Sequence, residues 1–133
     1  MKTNSIKQTI TFSTDPKSLY YLIMDPKKHA AFTGSKVTMN QKVNGKFSVF
    51  DGYCRGYNVE LVEGEKIVQA WHFEEVGWPD DHYSVCTFVF EKKGNKTKLT
   101  FTQTSIPEHK VAELKDGWKQ YYWNPMKEYL KSN

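Results

Sequence analysis

Histidine and cysteine side chains bind metals and act as bases or nucleophiles, so their spacing is the first test for chemistry. This chain has six of them, at His29, His72, His82, His109, Cys54 and Cys86. The histidines show no metal-ligand spacing, and neither cysteine lies in a CxxC motif or a Cys/His cluster. The sequence also lacks HExxH, GxSxG and a phosphate-binding glycine loop. We therefore predict no catalytic residue, no metal site and no cofactor.

Two other arrangements of reactive side chains stay open as alternatives. Asp80-Asp81-His82 contains cation ligands, but an exposed acidic loop is the favoured interpretation. A nucleophile pair of Cys54 with His72 is conceivable across neighbouring strands. Nothing in the sequence places those two side chains within hydrogen-bond reach of each other.

Arg55 is the only arginine among 19 Lys and Arg residues. It follows a turn predicted at Asp51-Gly52, so its guanidinium could lie at the mouth of a cavity and bind an acidic group of a ligand. The favoured alternative is an ordinary surface ion pair with Asp51 or a nearby glutamate.

Period-2 alternation predicts which residues share the inner face of a sheet. The four predicted sets are Tyr57, Val59 and Leu61; Ile67, Gln69, Trp71 and Phe73; Cys86, Phe88 and Phe90; and Leu99, Phe101 and Gln103. Gln69 and Gln103 stand out, because a buried amide needs a partner in the protein or in a bound ligand. The residues predicted to line a ligand cavity are Tyr57, Gln69, Trp71, Phe88, Phe101, Gln103, Trp118 and Tyr122, with Arg55 at the mouth. For the aromatic members, plain core packing is the alternative.

Turn and cap signals predict the elements that would position these side chains. A half-buried strand is predicted over 6–12. Asp15-Pro16 and Asp25-Pro26 each begin a short helix, because the carboxylate caps the helix and proline suits its first turn. Hairpin signals then separate strands at about 35–42, 46–50, 53–62, 66–73, 82–92 and 97–104. Short connections force antiparallel neighbours, so a seven-stranded antiparallel sheet is predicted.

Apolar residues recur at helical spacing in the last thirty residues, at Val111, Leu114, Trp118, Tyr121, Tyr122, Met126, Tyr129 and Leu130. The spacing predicts one long helix over 108–130, begun by a capping box from Ser105 to Glu108 and bent at Pro125. A curved sheet that grips such a helix would leave space for a ligand between the two.

Composition narrows the function classes. The 133 residues indicate one domain, 1–133. The 18 Lys and single Arg are scattered and give a net charge of +4, which argues against a nucleic-acid interface. The sequence contains no apolar run of 18 residues, so we do not expect it to insert into a membrane. Two cysteines outside any motif, with no N-terminal signal core, predict a cytoplasmic protein that needs neither disulfide nor metal.

Several ordered motifs carry a family resemblance. They are residues 29–34 (HAAFTG), 45–52 (GKFSVFDG) and 67–72 (IVQAWH), together with Trp78-Pro79, Ser84 at a strand start, Gly117-Trp118 and Tyr122-Trp123. With the element order, they resemble the SRPBCC, or START-like and birch-pollen-allergen-like, superfamily over about 6–130. Within it, the chain is similar to the branch named after the activator of the heat-shock protein 90 ATPase. The resemblance implies an α+β helix-grip fold: a curved seven-stranded antiparallel sheet around a long C-terminal helix, with two short helices between strands 1 and 2.

The resemblance implies three classes of function. Binding of a small hydrophobic or aromatic ligand between the sheet and the C-terminal helix ranks first, because it needs only the cavity. Interaction with a heat-shock chaperone in the stress response ranks second, since the namesake is a larger co-chaperone with an additional domain. A cyclase- or hydratase-like enzyme ranks third, because no inward polar side chain is a compelling base. A monomer or weak homodimer is expected.

Overall fold

One antiparallel sheet of seven strands, in the order β1-β7-β6-β5-β4-β3-β2, forms the frame of the computed structural model, which describes residues 1–132. The strands are β1 Thr3–Phe12, β2 Thr38–Met39, β3 Lys46–Val49, β4 Cys54–Val62, β5 Lys66–Phe73, β6 Ser84–Lys93 and β7 Lys96–Pro107. The predicted strand number and pairing are confirmed. β2 is shorter than the predicted 35–42, because the backbone carbonyls of Asn40 and Lys42 turn to accept hydrogen bonds from the Asn58 side chain.

Two short helices follow β1, as predicted: α1 Pro16–Met24 and α2 Pro26–Thr33. The Asp15 and Asp25 carboxylates accept hydrogen bonds from backbone N–H groups in the first turn that each one caps. Gly34 ends α2 with a φ of 71°, which glycine adopts without a steric cost. The caps therefore fix both helices at the positions that the sequence indicates.

The C-terminal helical segment, residues 108–132, is continuous but changes its winding. It consists of a 3₁₀ turn Glu108–Lys110, α3 Val111–Trp118, a π-helical turn Lys119–Trp123 and α4 Asn124–Ser132. The predicted capping box is wrong. β7 continues through Pro107, where pairing with Thr3 holds the backbone extended, and Ser105 lies within that strand with a φ of 60°. The residues expected to form the cap are thus part of the paired strand instead.

A π-helical turn precedes Pro125, the position at which the sequence predicts a bend. The Asn124 N–H donates to the Lys119 carbonyl, five residues earlier, just before a proline that has no N–H to donate. Residues five apart therefore lie above one another, and the rings of Trp118 and Trp123 stack with centroids 5.5 Å apart. Both rings are buried, although regular α-helical spacing left Trp123 out of the predicted apolar stripe.

The inner face of the sheet packs against this segment. The alternation predicted for β5, β6 and β7 is confirmed, since Ile67, Phe88 and Phe101 are fully buried. The assignment of Tyr57 to the inner face is wrong, because its side chain is 40% exposed on the outer face. A β-bulge between Asn58 and Glu60 shifts the inward–outward alternation of β4 by one residue. Alternation counted back through the bulge from Leu61 therefore assigns every earlier residue to the wrong face.

His29 connects α2 to the C-terminal segment from inside the core. Its Nδ1 lies 2.9 Å from the Ile23 carbonyl oxygen, and its Nε2 lies 2.8 Å from the Tyr122 hydroxyl. The ring is fully buried and stacks on Phe32. Burial lowers the pKa of His29 to about 4, while the hydrogen bond with Ile23 acts in the opposite direction. The imidazole is therefore neutral in the folded protein at neutral pH.

We predict that His29 destabilises the fold in mild acid. An unfolded histidine has a pKa near 6.5, so between pH 6.5 and 4 the unfolded chain binds a proton that the folded chain excludes. The free energy of unfolding therefore falls as the pH falls, by roughly 3 kcal/mol at pH 4 from this group. Denaturant unfolding of wild type and His29→Gln from pH 7.5 to 4 measures the effect. The variant should be the less stable protein at pH 7.5 and should lose less on acidification, and parallel profiles would contradict the assignment.

Candidate functional site

An apolar pocket of about 430 Å³ lies between the inner face of β4 and β5 and the C-terminal helical segment. Its lining residues are Phe50, Tyr53, Cys54, Trp71, Phe73, Glu75, Glu113, Leu114, Gly117, Trp118, Tyr121 and Tyr122. Seven of these twelve carry aromatic rings, and the volume is within the usual range for small-molecule sites. The space is thus suited to a flat apolar molecule.

The predicted cavity residues fall into four groups. Trp71, Trp118 and Tyr122 line the pocket. Phe88 and Phe101 lie deeper, fully buried, and the Phe101 ring contacts Trp118 at a centroid distance of 4.4 Å. Gln69 and Gln103 are fully buried behind the tryptophans, and Tyr57 and Arg55 lie on the outer face of the sheet.

Gln69 holds the first tryptophan of the pocket wall. Its Oε1 accepts a 3.0 Å hydrogen bond from the Trp71 indole N–H, and its Nε2 donates to Asn58 Oδ1 at 3.0 Å. The Asn58 Nδ2 in turn donates to the Asn40 carbonyl at 2.6 Å. The partner of this buried amide is therefore the protein, and Trp71 is fixed in orientation.

Gln103 holds the opposite wall in the same way. Its Oε1 accepts from the Trp118 indole N–H at 2.8 Å, and its Nε2 donates to Ser84 Oγ at 2.9 Å. The Ser84 hydroxyl donates to the Trp71 carbonyl at 3.2 Å. The two walls thus belong to one hydrogen-bonded system across β5, β6, β7 and α3, and satisfied buried networks of this kind rigidify a core.

Charged groups lie only at the mouth of the pocket. The Tyr53 hydroxyl donates to the Glu75 carboxylate. The Lys110 ammonium lies 3.2 Å from Glu75 and 3.5 Å from Glu113. Burial alone would lower the pKa of Lys110, but the two carboxylates outweigh it and raise that pKa. Burial and the Glu75 hydrogen bond raise the pKa of Tyr53, so its hydroxyl keeps its proton and remains a donor.

Sequence reasoning missed most of this mouth. Phe50 and Tyr53 flank the Asp51-Gly52 turn, and Glu75 follows the end of β5, where strand alternation predicts nothing about direction. The one available signal was the turn itself. Phe50 and Asp51 both have positive φ, at 52° and 54°, a conformation that costs free energy in non-glycine residues. That backbone brings the Phe50 ring to within 5.8 Å of the Tyr122 ring, centroid to centroid.

Cys54 and His72 do not form a nucleophile pair. The Cys54 thiol faces the pocket, whereas His72 lies on the outer face, where its Nδ1 is 2.9 Å from the His82 carbonyl and its Nε2 is 3.2 Å from Glu74. Burial raises the pKa of Cys54, so the thiol is protonated and a weak nucleophile at neutral pH. Among residues 1–132, no group of three His, Cys, Asp or Glu side chains could hold a metal ion.

Arg55 forms the surface ion pair that was the favoured interpretation. Its Nη2 lies 2.9 Å from the Glu74 carboxylate. It pairs across the strands with His72 on the outer face, so its predicted position at the cavity mouth is wrong. The inner positions on this part of β4 belong to Cys54 and Gly56.

The sheet order, the two helices after β1 and the long helical segment on the inner face define the helix-grip, START-like class of α+β proteins. The chain belongs to the family of activator of Hsp90 ATPase homolog 1-like proteins, whose family model matches residues 13–131. No helix within residues 1–132 combines the length and hydrophobicity needed to cross a membrane.

Relatives and solved structures agree with this assignment. The chain is 30% identical over 118 residues to the activator of 90 kDa heat shock protein ATPase homolog 1 of Mus musculus, which covers 89% of this chain and 34% of that protein. It is 32% identical over 119 residues to the Dictyostelium discoideum homolog, covering 89% of this chain and 30% of that protein. The chain therefore spans about a third of the length of these curated relatives. A crystal structure of an HSP90 activator from Plasmodium falciparum superimposes with a TM-score of 0.89 at 29% identity, covering 96% of both chains.

We predict that the Trp118–Gln103 hydrogen bond stabilises the fold cooperatively. Trp118→Phe leaves the Gln103 oxygen buried without its donor, which should cost about 1–3 kcal/mol. In a Gln103→Leu background the same substitution should cost less, because no acceptor is left unsatisfied. Urea unfolding of the four proteins gives the coupling free energy.

Trp123→Phe, made in the same two backgrounds, is the matched control. Its indole donates to Gln8 instead of Gln103, so its cost should be nearly the same in both. Equal costs for Trp118→Phe in the two backgrounds would contradict the assigned role of Gln103.

Proposed function

We propose that this protein binds a small hydrophobic or aromatic molecule in the pocket between the sheet and the C-terminal helical segment. The observation that carries the proposal is the wall of aromatic rings around about 430 Å³, with charged side chains only at its mouth. Aromatic walls of this kind bind flat apolar molecules through burial and ring contacts.

The polar groups of the core support binding by shape. Among residues 1–132, no buried side-chain nitrogen or oxygen lacks a hydrogen-bond partner. The interior therefore offers a ligand apolar contacts, and polar recognition is left to the mouth. A pocket of this kind should tolerate related apolar molecules and bind a non-cognate probe with micromolar affinity at best, about −8 kcal/mol or weaker.

Gly117 offers a way to fill the pocket without damaging the fold. It lies in α3 and lines the pocket. Apart from its chain neighbours and the backbone of its own helix, a Cβ placed there would meet no atom nearer than Tyr121 Cδ2, at 4.0 Å. A larger side chain would therefore extend into the empty space. It should also raise helix stability, since glycine is unfavourable in a helix by about 1 kcal/mol.

We predict that Gly117→Leu weakens the binding of 2-naphthalenemethanol, a neutral aromatic probe, at least tenfold, because the isobutyl group occupies the pocket. The ratio corresponds to about 1.4 kcal/mol. Isothermal titration calorimetry measures the affinity, and thermal unfolding checks that the melting temperature is not lowered.

Ala112→Leu is the matched control, because it adds the same side chain to an exposed position of the same helix. It should leave the affinity unchanged. Equal binding by wild type and Gly117→Leu, or no binding by wild type, would reject the proposal.

Interaction with a heat-shock ATPase is the second candidate function. The Plasmodium falciparum structure, whose chain matches this one over 96% of both lengths, is described as an HSP90 activator, and this favours the proposal. A cytosolic location would suit either function, and the two cysteines are free thiols in the structure.

ATP turnover by a heat-shock protein 90, with and without a molar excess of this protein, tests the second candidate. If ligand binding is the whole function, the turnover rate should stay unchanged, and Gly117→Leu should behave as wild type. A clear stimulation by both proteins would make chaperone interaction the primary function.

A further inference from the structure

We propose that the pocket selects aromatic ligands that carry a positive charge, with the cationic group at the mouth beside Glu113. This inference rests on the proposed function, because it assigns the ligand class of the same pocket. It also differs from the less favoured sequence interpretation, in which Arg55 at the mouth binds an acidic ligand group.

The charges at the mouth do not cancel. The pocket lining contains two carboxylates, Glu75 and Glu113, and no Lys, Arg or His. Lys110 contacts both carboxylates and can balance one negative charge. A carboxylate or phosphate on a ligand would enter a mouth of net negative charge, whereas an ammonium group would neutralise it.

Glu113 is the carboxylate that remains available. Glu75 already accepts from the Tyr53 hydroxyl and from Lys110 at 3.2 Å, and its side chain is 19% exposed. Glu113 contacts Lys110 at 3.5 Å, and its side chain is 68% exposed, so most of its acceptor sites face solvent at the mouth. A ligand ammonium could therefore approach Glu113 without breaking the Tyr53–Glu75–Lys110 contacts.

The helix places this carboxylate within reach of a ligand in the pocket. Glu113 and Gly117 are four residues apart in α3, so they share a helix face at a spacing of roughly 6 Å along the axis. A ring seated against Gly117 would carry a short substituent to Glu113. The Tyr121 ring lines the same pocket and is 52% exposed, which adds a π-face near the mouth for the cation.

Three probes that share one naphthalene ring test the inference: 2-naphthalenemethanamine, cationic at pH 7; 2-naphthalenemethanol, neutral; and 2-naphthoate, anionic. Isothermal titration calorimetry at low salt should show the amine binding roughly fivefold more tightly than the alcohol, and the carboxylate binding most weakly. Added salt should reduce the preference for the amine, because the mouth is open to solvent.

Glu113→Gln should lower the affinity for the amine to that for the alcohol, so that the variant no longer distinguishes the two probes. Glu128→Gln is the matched control, since Glu128 is an exposed glutamate of α4 whose partner is Lys131, outside the pocket lining. It should retain the full preference for the amine.

The outcomes separate the two proposals. Alcohol binding that Gly117→Leu blocks, without any preference for the amine, would overturn the charge selection and keep the ligand-binding function. A preference for the amine that survives in Glu113→Gln would overturn the role of Glu113. No binding of any of the three probes would overturn both proposals.

Discussion

Every buried tryptophan in this protein must find an acceptor for its indole N–H, and this constraint fixes the relation between the sheet and the C-terminal helical segment. The four acceptors are Gln69 for Trp71, Gln103 for Trp118, Gln8 for Trp123 and the His82 carbonyl for Trp78. The Gln103 and Gln8 contacts join strands β7 and β1 to the helical segment. An unsatisfied buried donor costs about 1–3 kcal/mol, so sliding or rotating the segment would lose both contacts together.

The π-helical turn makes these contacts possible. Trp118 and Trp123 are five residues apart, and in a regular α-helix they would point in different directions. The extra residue in the turn brings both rings onto the sheet and also separates the two adjacent tyrosines. Tyr122 turns inward to His29, whereas Tyr121 remains half exposed at the pocket. One local irregularity thus completes the core and also places an aromatic side chain in the pocket lining.

The same physics explains which parts of the structure could be predicted from sequence. Turn residues, and aspartate caps followed by proline, are local signals, so seven strands and both short helices could be located. Periodicity fails where a residue is inserted, because each insertion shifts the phase of all residues counted through it. Because of the bulge beside Val59, alternation assigned Tyr57 to the wrong face of the sheet. Because of the π-helical turn, helical spacing did not include Trp123 in the apolar stripe. Three of the predicted cavity residues line the pocket, and two of them, Trp71 and Trp118, lie on regular elements. The mouth instead depends on turn conformations and ion pairs that only the folded chain creates.

The lining of the pocket includes two sets of polar side chains that differ in how strongly the core depends on them. Trp71, Trp118 and Tyr122 are held by buried hydrogen bonds, so they cannot change without a cost to the core. The two tryptophans also keep the space open, since their indoles cannot rotate into it without losing Gln69 and Gln103. Glu75 and Glu113 lie at the mouth, where replacement leaves these bonds intact. The shape of the pocket is therefore tied to the stability of the fold, whereas the charge at its mouth is set by side chains that take no part in these buried hydrogen bonds.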